Sequence, residues 1–574
     1  MMLRPPVRGH LLPLMEGLLR EFSSLHRLSG GDDAELAARR IVSILQAQGL
    51  DARLMHCPLY LSDPLAGRLQ LPEQPDWQCE AKTRSFSAHV PQGVTGPSYY
   101  DADACEPRTD LQWQRWAQVV KGKIVIAGQG FENYVQRLCA AGALGLIHLW
   151  GSMETALHEE TVGPVWGTPE PDDVLRYPSL PAISVNQPDG QRLLAEFRQN
   201  PLMLVNIATE LNHHVAQCSM PVVDIPGSSP EFVLLSSHYD SWHQGVTDNA
   251  TGNALCLAMA IHFHQQSQTL LRGLRVIWWP GHSNARYGGS TWYADHYRRQ
   301  LKQHCVAHIN VDSPGCLDAV SVVLNASGAE SHLFLNAAVT AVTGEPALRI
   351  TPLGKGGDQS FWGCGLPLHF AFREIPLVKT SQSPGSGGGW WWHTDADTYD
   401  KVDLDILWRD ARIHVHWLES LLTQSALPLD PLAYLANLQQ SLSQLIAVID
   451  PEFDLGTVAE KLQQLQPELI RLTARWQLAP QVWQPLLKQA IAALHCLRYS
   501  STDDFHYDLS YHGGAFPGFQ GLAARREDTS PQMWLMMMTR FWRQRDRALA
   551  LLEGVEIICR SSPVNNGTAV HPDC

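Results

Sequence analysis

Apolar residues recur at every third or fourth position in LLPLMEGLLREFSSL and DAELAARRIVSILQAQGL, which predicts two amphipathic helices within residues 11–48, the second ended by Gly49. From about residue 62 to 205 Pro and Gly become frequent, and short runs such as KGKIVIAG and ALGLIHLW replace the helical period, the mark of an inserted β-rich domain. From about 231 the pattern is strand, loop, helix: FVLLSSHYD, TGNALCLAMAIHFH, LRVIWWPG, STWYADHYRRQL, AHINVDSPG, VSVVLNASG, HLFLNAAVTAVTG, PLHFAF and the closing helix LDILWRDARIHVHWLESLL. Such alternation predicts an α/β fold, a mainly parallel mixed sheet with helices on both faces. After about 428 the chain reads as helical, as in LAYLANLQQSLSQLIAVI and SPQMWLMMMTRFWRQRDRALALLEGV, around an aromatic, Gly- and Asp-rich loop. The expected division is 1–61 with 205–427 for the α/β domain, 62–204 for the insertion, and 428–574 for a helical domain whose apolar faces suit packing on the sheet or a homodimer contact.

Composition narrows the partners. A chain of 574 residues exceeds what one core serves, and 45% hydrophobic with 17% charged residues is globular. A formal charge of −14 argues against nucleic acid and anionic membranes, which require a basic face. The N-terminal stretch has charges interrupting each apolar run, and no run elsewhere approaches the roughly 20 residues that span a bilayer, so a soluble, cytoplasmic protein is expected. The cysteines stand singly in apolar stretches without CxxC pairs, which predicts buried thiols rather than a disulfide framework.

Candidate chemistry lies at the predicted strand ends, where sheets of this kind bind ligands. His238 in SSHYDSW, Asp248 in GVTDNATG, Asp312 in HINVDSPG and His393 in WWWHTDADT form an ordered series of nitrogen and carboxylate donors, the set that zinc prefers. Asp248, near the start of the following helix, can bridge two ions, and Asp240 is placed to orient the His238 ring. His243 adds a further nitrogen. Each residue taken singly also reads as a packed histidine or a helix cap; the series carries the metal reading.

The stretches HYDSW, GVTDNATG, HINVDSPG and HTDADTYDKVD resemble the zinc aminopeptidase family that includes glutamate carboxypeptidase, the transferrin receptor ectodomain and glutaminyl cyclase, over roughly residues 11–60 and 205–425. Residues 62–204 resemble the protease-associated domain inserted in many of these proteins, and the helical end is positioned like the dimerisation domain of the receptor-like branch. The resemblance implies one or two zinc ions, with His238 and Asp312 on the first, Asp248 bridging and His393 on the second. It also implies a Glu-Glu pair, general base then ligand of the second ion, at the place where this chain has Trp279-Pro280-Gly281-His282-Ser283-Asn284. His282 falls at the base position and Ser283 at the ligand position.

The missing pair bears on mechanism, because metal-assisted hydrolysis needs a group that carries a proton from water to the leaving amine. Imidazole can do that near neutral pH and serine cannot unaided. Three readings stand: His282 is the base, His282 is a ligand of the second ion, or His282 is only a hydrogen-bonding loop residue. Asp358 in GGDQSF, Arg286, Tyr287 and Trp392 are candidate substrate contacts, each with a plain structural role as its alternative. The expected function is zinc-dependent hydrolysis of a peptide or acyl-amino-acid amide. The competing readings are an inactive homologue serving as receptor or scaffold, and a cyclisation of an amino-acid derivative.

Overall fold

Three neighbouring strands with side chains buried on both faces form the middle of the sheet and deliver the site residues at their carboxyl ends. In chain order the strands are β1 (Ala52–Gln70), β2 (Lys82–Thr83), β3 (Val90–Asp101), β4 (Ile124–Ala127), β5 (Gly145–Leu149), β6 (Ala182–Val185), β7 (Leu204–Ile225), β8 (Phe232–His238), β9 (Gly273–Trp279), β10 (Cys305–Val311), β11 (Ser321–Ala326), β12 (Arg349–Pro352) and β13 (His369–Ile375). The computed structural model describes residues 3–104, 110–354, 356–381, 383–506, 515–522 and 524–563.

The sheet runs β12-β11-β13-β10-β8-β9-β7-β3-β4-β5-β6-β2, with β1 paired to β7. β8 lies parallel to β9 and β10, and β10 parallel to β13, while β7 and β11 enter antiparallel, so the expected mainly parallel mixed sheet is present. Every residue of β8 and β10 is buried, as near-continuous apolar strands covered on both faces require. The helix Thr251–His264 is buried from Thr251 to Phe263 between the sheet and the helices Arg8–Phe22 and Leu404–Thr423, which explains why its sequence is apolar all round.

The 62–204 segment holds β2 to β6 and also three helices, Asp110–Val120, Glu132–Ala141 and Gln187–Gln199. Its attachment is a long antiparallel ribbon in which β1 pairs β7 from Ala52 opposite Val223 to Gln70 opposite Asn206. The expected boundary after residue 61 therefore falls inside a strand rather than in a linker.

The helices Pro431–Ile446, Gly456–Leu478, Pro480–Tyr499 and Pro531–Arg560 pack on the sheet unit: Leu438, Leu465, Leu487 and Leu552 share one core with Leu255 and Val276. Part of the aromatic loop between them, residues 507–514, lies outside the described residues. Every cysteine among the described residues is free of a disulfide. Among the same residues no helix is long and apolar enough to cross a membrane.

Candidate metal centre

β8 ends on His238, Asp312 directly follows β10, and these strands are neighbours. Asp248 sits just ahead of the helix Thr251–His264, and His393 comes from the loop before Leu404–Thr423. His238 Nε2 lies 3.0 Å from Asp248 Oδ1 and 3.9 Å from Asp312 Oδ1; His393 Nε2 lies 3.1 Å from Asp248 Oδ2. A tetrahedral ion with bonds near 2.0 Å separates its ligands by about 3.3 Å, so these spacings suit ligands facing a common centre. The two oxygens of Asp248 face different histidines, the arrangement a bridging carboxylate adopts.

The donor set fits a cation on a further count. His238 Nδ1 donates to the Asp240 carbonyl at 2.9 Å and His393 Nδ1 to the Glu159 carbonyl at 2.9 Å, which puts the proton on Nδ1 and the lone pair on Nε2. His238 Nε2 and Asp248 Oδ1 are buried and, despite their approach, have no aligned hydrogen-bond partner. A buried polar atom left this way is costly unless something else meets it. Without a cation the pair polarises itself: burial opposes the charged ring, but Asp240, Asp248 and Asp312 together hold His238 well above the usual imidazole range. Burial likewise opposes the charged carboxylate, yet His238 and His393 hold Asp248 well below its usual range.

Neighbouring side chains fix the loops. Asn249 donates to the Val311 carbonyl and accepts from the Ser313 and Gly252 amides, joining the Asp248 and Asp312 segments. Asn253 donates to the His238 carbonyl. Asp397 accepts from the amides of Thr247 and Asp248, and burial pushes its carboxyl up to about 7. Arg27, fully buried, donates to the carbonyls of Phe22, Tyr239, Gln244 and Gly245. The Asp240 carboxylate accepts from the amides of His282 at 3.2 Å and Ser283 at 3.0 Å, with one oxygen 3.6 Å from His238 Nδ1. It thus orients the altered turn, while its own carbonyl orients His238.

A cavity of about 580 Å³ opens over this cluster, with Asp248, Asp312, His393, His282, Ser283, Arg286, Tyr287 and Trp392 all on its wall. His282 Nδ1 is 2.8 Å from Asp358 Oδ2, and Asp358 in turn accepts from Ser290 Oγ at 2.7 Å. Asp358 is buried behind His282 and is not on the cavity wall. Arg286 is ion-paired with Glu132 of the inserted segment at 2.8 Å and donates to the Tyr287 hydroxyl. Trp392 stacks on the His393 ring at 3.8 Å. His243 is paired with Glu159 at 2.9 Å.

Sequence reasoning missed what the insertion contributes. Glu132 and Glu160 line the cavity, and a second cluster of candidate ligands consists of His158, Glu160 and His393. The run His158-Glu159-Glu160 in a Gly- and Pro-rich stretch was the available signal. Asp397 lay in plain view in HTDADT, but nothing in the sequence distinguished it from a solvated turn.

The profile of peptidase family M28 matches residues 222–418. Probable leucine aminopeptidase 1 of Trichophyton verrucosum is 25% identical over 224 residues, 36% of this chain and 59% of that protein. Leupeptin-inactivating enzyme 1 of Streptomyces exfoliatus is 25% identical over 184 residues, 31% of this chain and 40% of that protein. The chain thus spans 59% and 40% of the length of these curated relatives. Among solved structures, the aminopeptidase from Aneurinibacillus sp. strain AM-1 superposes with a TM-score of 0.54 at 18% identity, covering 72% of this chain and 94% of that one. The zinc aminopeptidase from Bacillus subtilis gives 0.56 at 17%, covering 74% and 97%. The fold is the one these solved aminopeptidase structures share. Over residues 222–418 the chain is similar to peptidase family M28.

Proposed function

We propose that the protein is a zinc-dependent hydrolase of a peptide or acyl-amino-acid amide bond, with His238, Asp248, Asp312 and His393 holding the metal and His282 moving the proton. The carrying observation is the convergence of two Nε2 lone pairs and two carboxylates, separated by up to 155 positions in sequence, onto one buried centre. Bound there, zinc would lower the pKa of a water and polarise the scissile carbonyl. His282 supports the rest. Its Nδ1 is held by Asp358, so a neutral ring keeps its proton on Nδ1 and presents Nε2 as the basic nitrogen, in a residue on the cavity wall. Asp358 would also stabilise the imidazolium that forms before the proton passes to the leaving amine. Trp392 supplies an apolar wall for the substrate, and Arg286 with Tyr287 lies further along it.

We further propose that the 62–204 segment is a protease-associated domain that walls the site, and that the helical end, with Leu535 and Met536 exposed, is a self-association surface. Metal analysis of purified protein, combined with assays on aminoacyl, acylamino and dipeptide amides, tests the activity. Turnover abolished in His282→Ala with metal retained supports the reading. A metal-loaded wild type without turnover on any of these amides favours the receptor or scaffold alternative that the missing Glu-Glu pair motivates.

A further inference from the structure

Three cationic side chains stand on the cavity wall without a counter-charge. Arg349 of β12 and Arg373 of β13 both pair with Val323 of β11, the strand between them, so they flank it in one row of the sheet. Residues in register across neighbouring strands share a face, and strands lie about 4.8 Å apart, which sets the two backbones roughly 10 Å from each other. Arg349, Val323 and Arg373 accordingly all line the cavity, and Lys379, from the loop after β13, lines it with them. None of the three is ion-paired with a described residue; Arg373 donates to the Pro384 carbonyl at 2.8 Å. Carboxylates on the same wall are committed elsewhere: Glu374 to Arg409 at 2.6 Å and to the Cys316 amide, Glu132 to Arg286, Asp248 to the two histidines. Burial, with the like charges of Arg349 and Arg373, lowers the Lys379 ammonium from its ordinary value. In a chain of net charge −14, cations gathered this way in a cleft focus a field that attracts an anion.

We propose that Arg349, Arg373 and Lys379 form a carboxylate-binding subsite, so that the amide substrate carries a free carboxylate on its amino-acid part, at the α position or on the side chain. The inference rests on the zinc hydrolase reading above and narrows its substrate class. A guanidinium matches a carboxylate with two parallel N–H donors, and Arg373 stands beside the proton-transfer group: a Cβ on Gly357 would lie 3.8 Å from Arg373 Nη2, and Gly357 precedes Asp358, which holds His282. The inserted segment contributes the opposite charge, Glu132 and Glu160, and is fastened beside the candidate metal centre: the Glu159 amide donates to the His393 carbonyl at 2.8 Å, and His393 Nδ1 donates back to the Glu159 carbonyl. An anionic substrate end is drawn away from these carboxylates and toward the three cations, which sets its direction in the cavity.

The test is kcat/KM for matched amides on zinc-loaded full-length wild type and on the Arg349→Gln, Lys379→Gln double variant, both positions being exposed, beside a thermal melt that reports folding. Alanine carries only the α-carboxylate, glutamic acid α-amide only the side-chain carboxylate, and alaninamide neither; each is presented in N-acetyl and N-alanyl form. The wild type is expected to prefer one acid over the neutral amide by about 10- to 100-fold, the size that charge-assisted hydrogen bonds supply, and the preferred acid identifies where the carboxylate sits. That preference should fall about 10-fold or more in the double variant, or in Lys379→Gln alone should the double variant fail to fold. Equal turnover of acids and neutral amide, or a preference unchanged in the variant, overturns this inference and leaves the zinc reading standing. Turnover of none of them by the wild type counts against the hydrolase reading, and calorimetric titration with N-acetylalanine and N-acetylglutamic acid α-amide then decides the subsite. Binding lost in the variant supports it, and binding absent from the wild type or unchanged in the variant overturns it.

Discussion

The His282 ring lies flat against the His238 ring, centroids 3.7 Å apart and planes 11° from parallel, while its Nδ1 is held by Asp358. The residue at the family's base position is thus fixed by a metal-ligand candidate on one face and a buried carboxylate at one edge. Asp358→Asn should therefore lower kcat by roughly 10²-fold or more, within the range that general-base catalysis supplies, and leave metal content unchanged. Its pH–rate profile should differ from that of the wild type. An unchanged kcat and profile would remove His282 from proton transfer.

Gly252 leaves no room for a side chain: a Cβ there would lie 2.2 Å from Asn249 Oδ1. Gly252→Ala should push Asn249 off the Ser313 amide and the Val311 carbonyl, loosening the Asp248 and Asp312 loops together. Loss of support behind metal ligands typically weakens binding about 10- to 100-fold, measurable by competition with a zinc chelator. An affinity equal to wild type would show that the loops hold without Asn249.

Arg27 satisfies four carbonyls from inside the protein, with burial lowering its guanidinium to about 10. Arg27→Met should cost about 3 to 5 kcal/mol in urea unfolding, because carbonyls buried with it lose their donors.

Burial holds the His308 imidazole down to about 3 and that of His414 to about 4, against an ordinary value near 6.5 in the unfolded chain. The unfolded state then binds more protons below about pH 6.5, so these groups contribute full stability above that value and lose it as pH falls toward 4. Urea midpoints should fall between pH 7 and pH 4.5, and the fall should be shallower in the His308→Gln, His414→Gln double variant. Parallel curves would place the acid sensitivity elsewhere.

Chelation should lower the melting temperature, since a ligand that binds only the folded state contributes about 2.7 kcal/mol at a hundredfold excess over its Kd. Zinc should restore it. No shift on chelation would argue against an ion at the His238 cluster.

The sequence was legible where chemistry coincides with local pattern. His238 ends an apolar strand, Asp312 follows one and Asp248 precedes an apolar helix, and strand ends are where sheets of this class place ligands. What could not be read was juxtaposition between distant segments. Asp358 resembles a solvated turn until the fold places it behind His282, and Glu132 and Glu160 sit in a stretch whose β-rich pattern marks a separate unit. The helices within that stretch escaped for a related reason: Glu132–Ala141 spans under three turns, too short for a periodic signal to stand out among Pro and Gly.

The reciprocal clasp between Glu159 and His393 gives the insertion a role in assembly. Excising residues 62–204 would do more than widen the entrance, because the His393 imidazole would lose the acceptor that sets its tautomer and aim. Grafting a foreign module at the same junction would have to reproduce that two-way grip before any question of substrate choice arose.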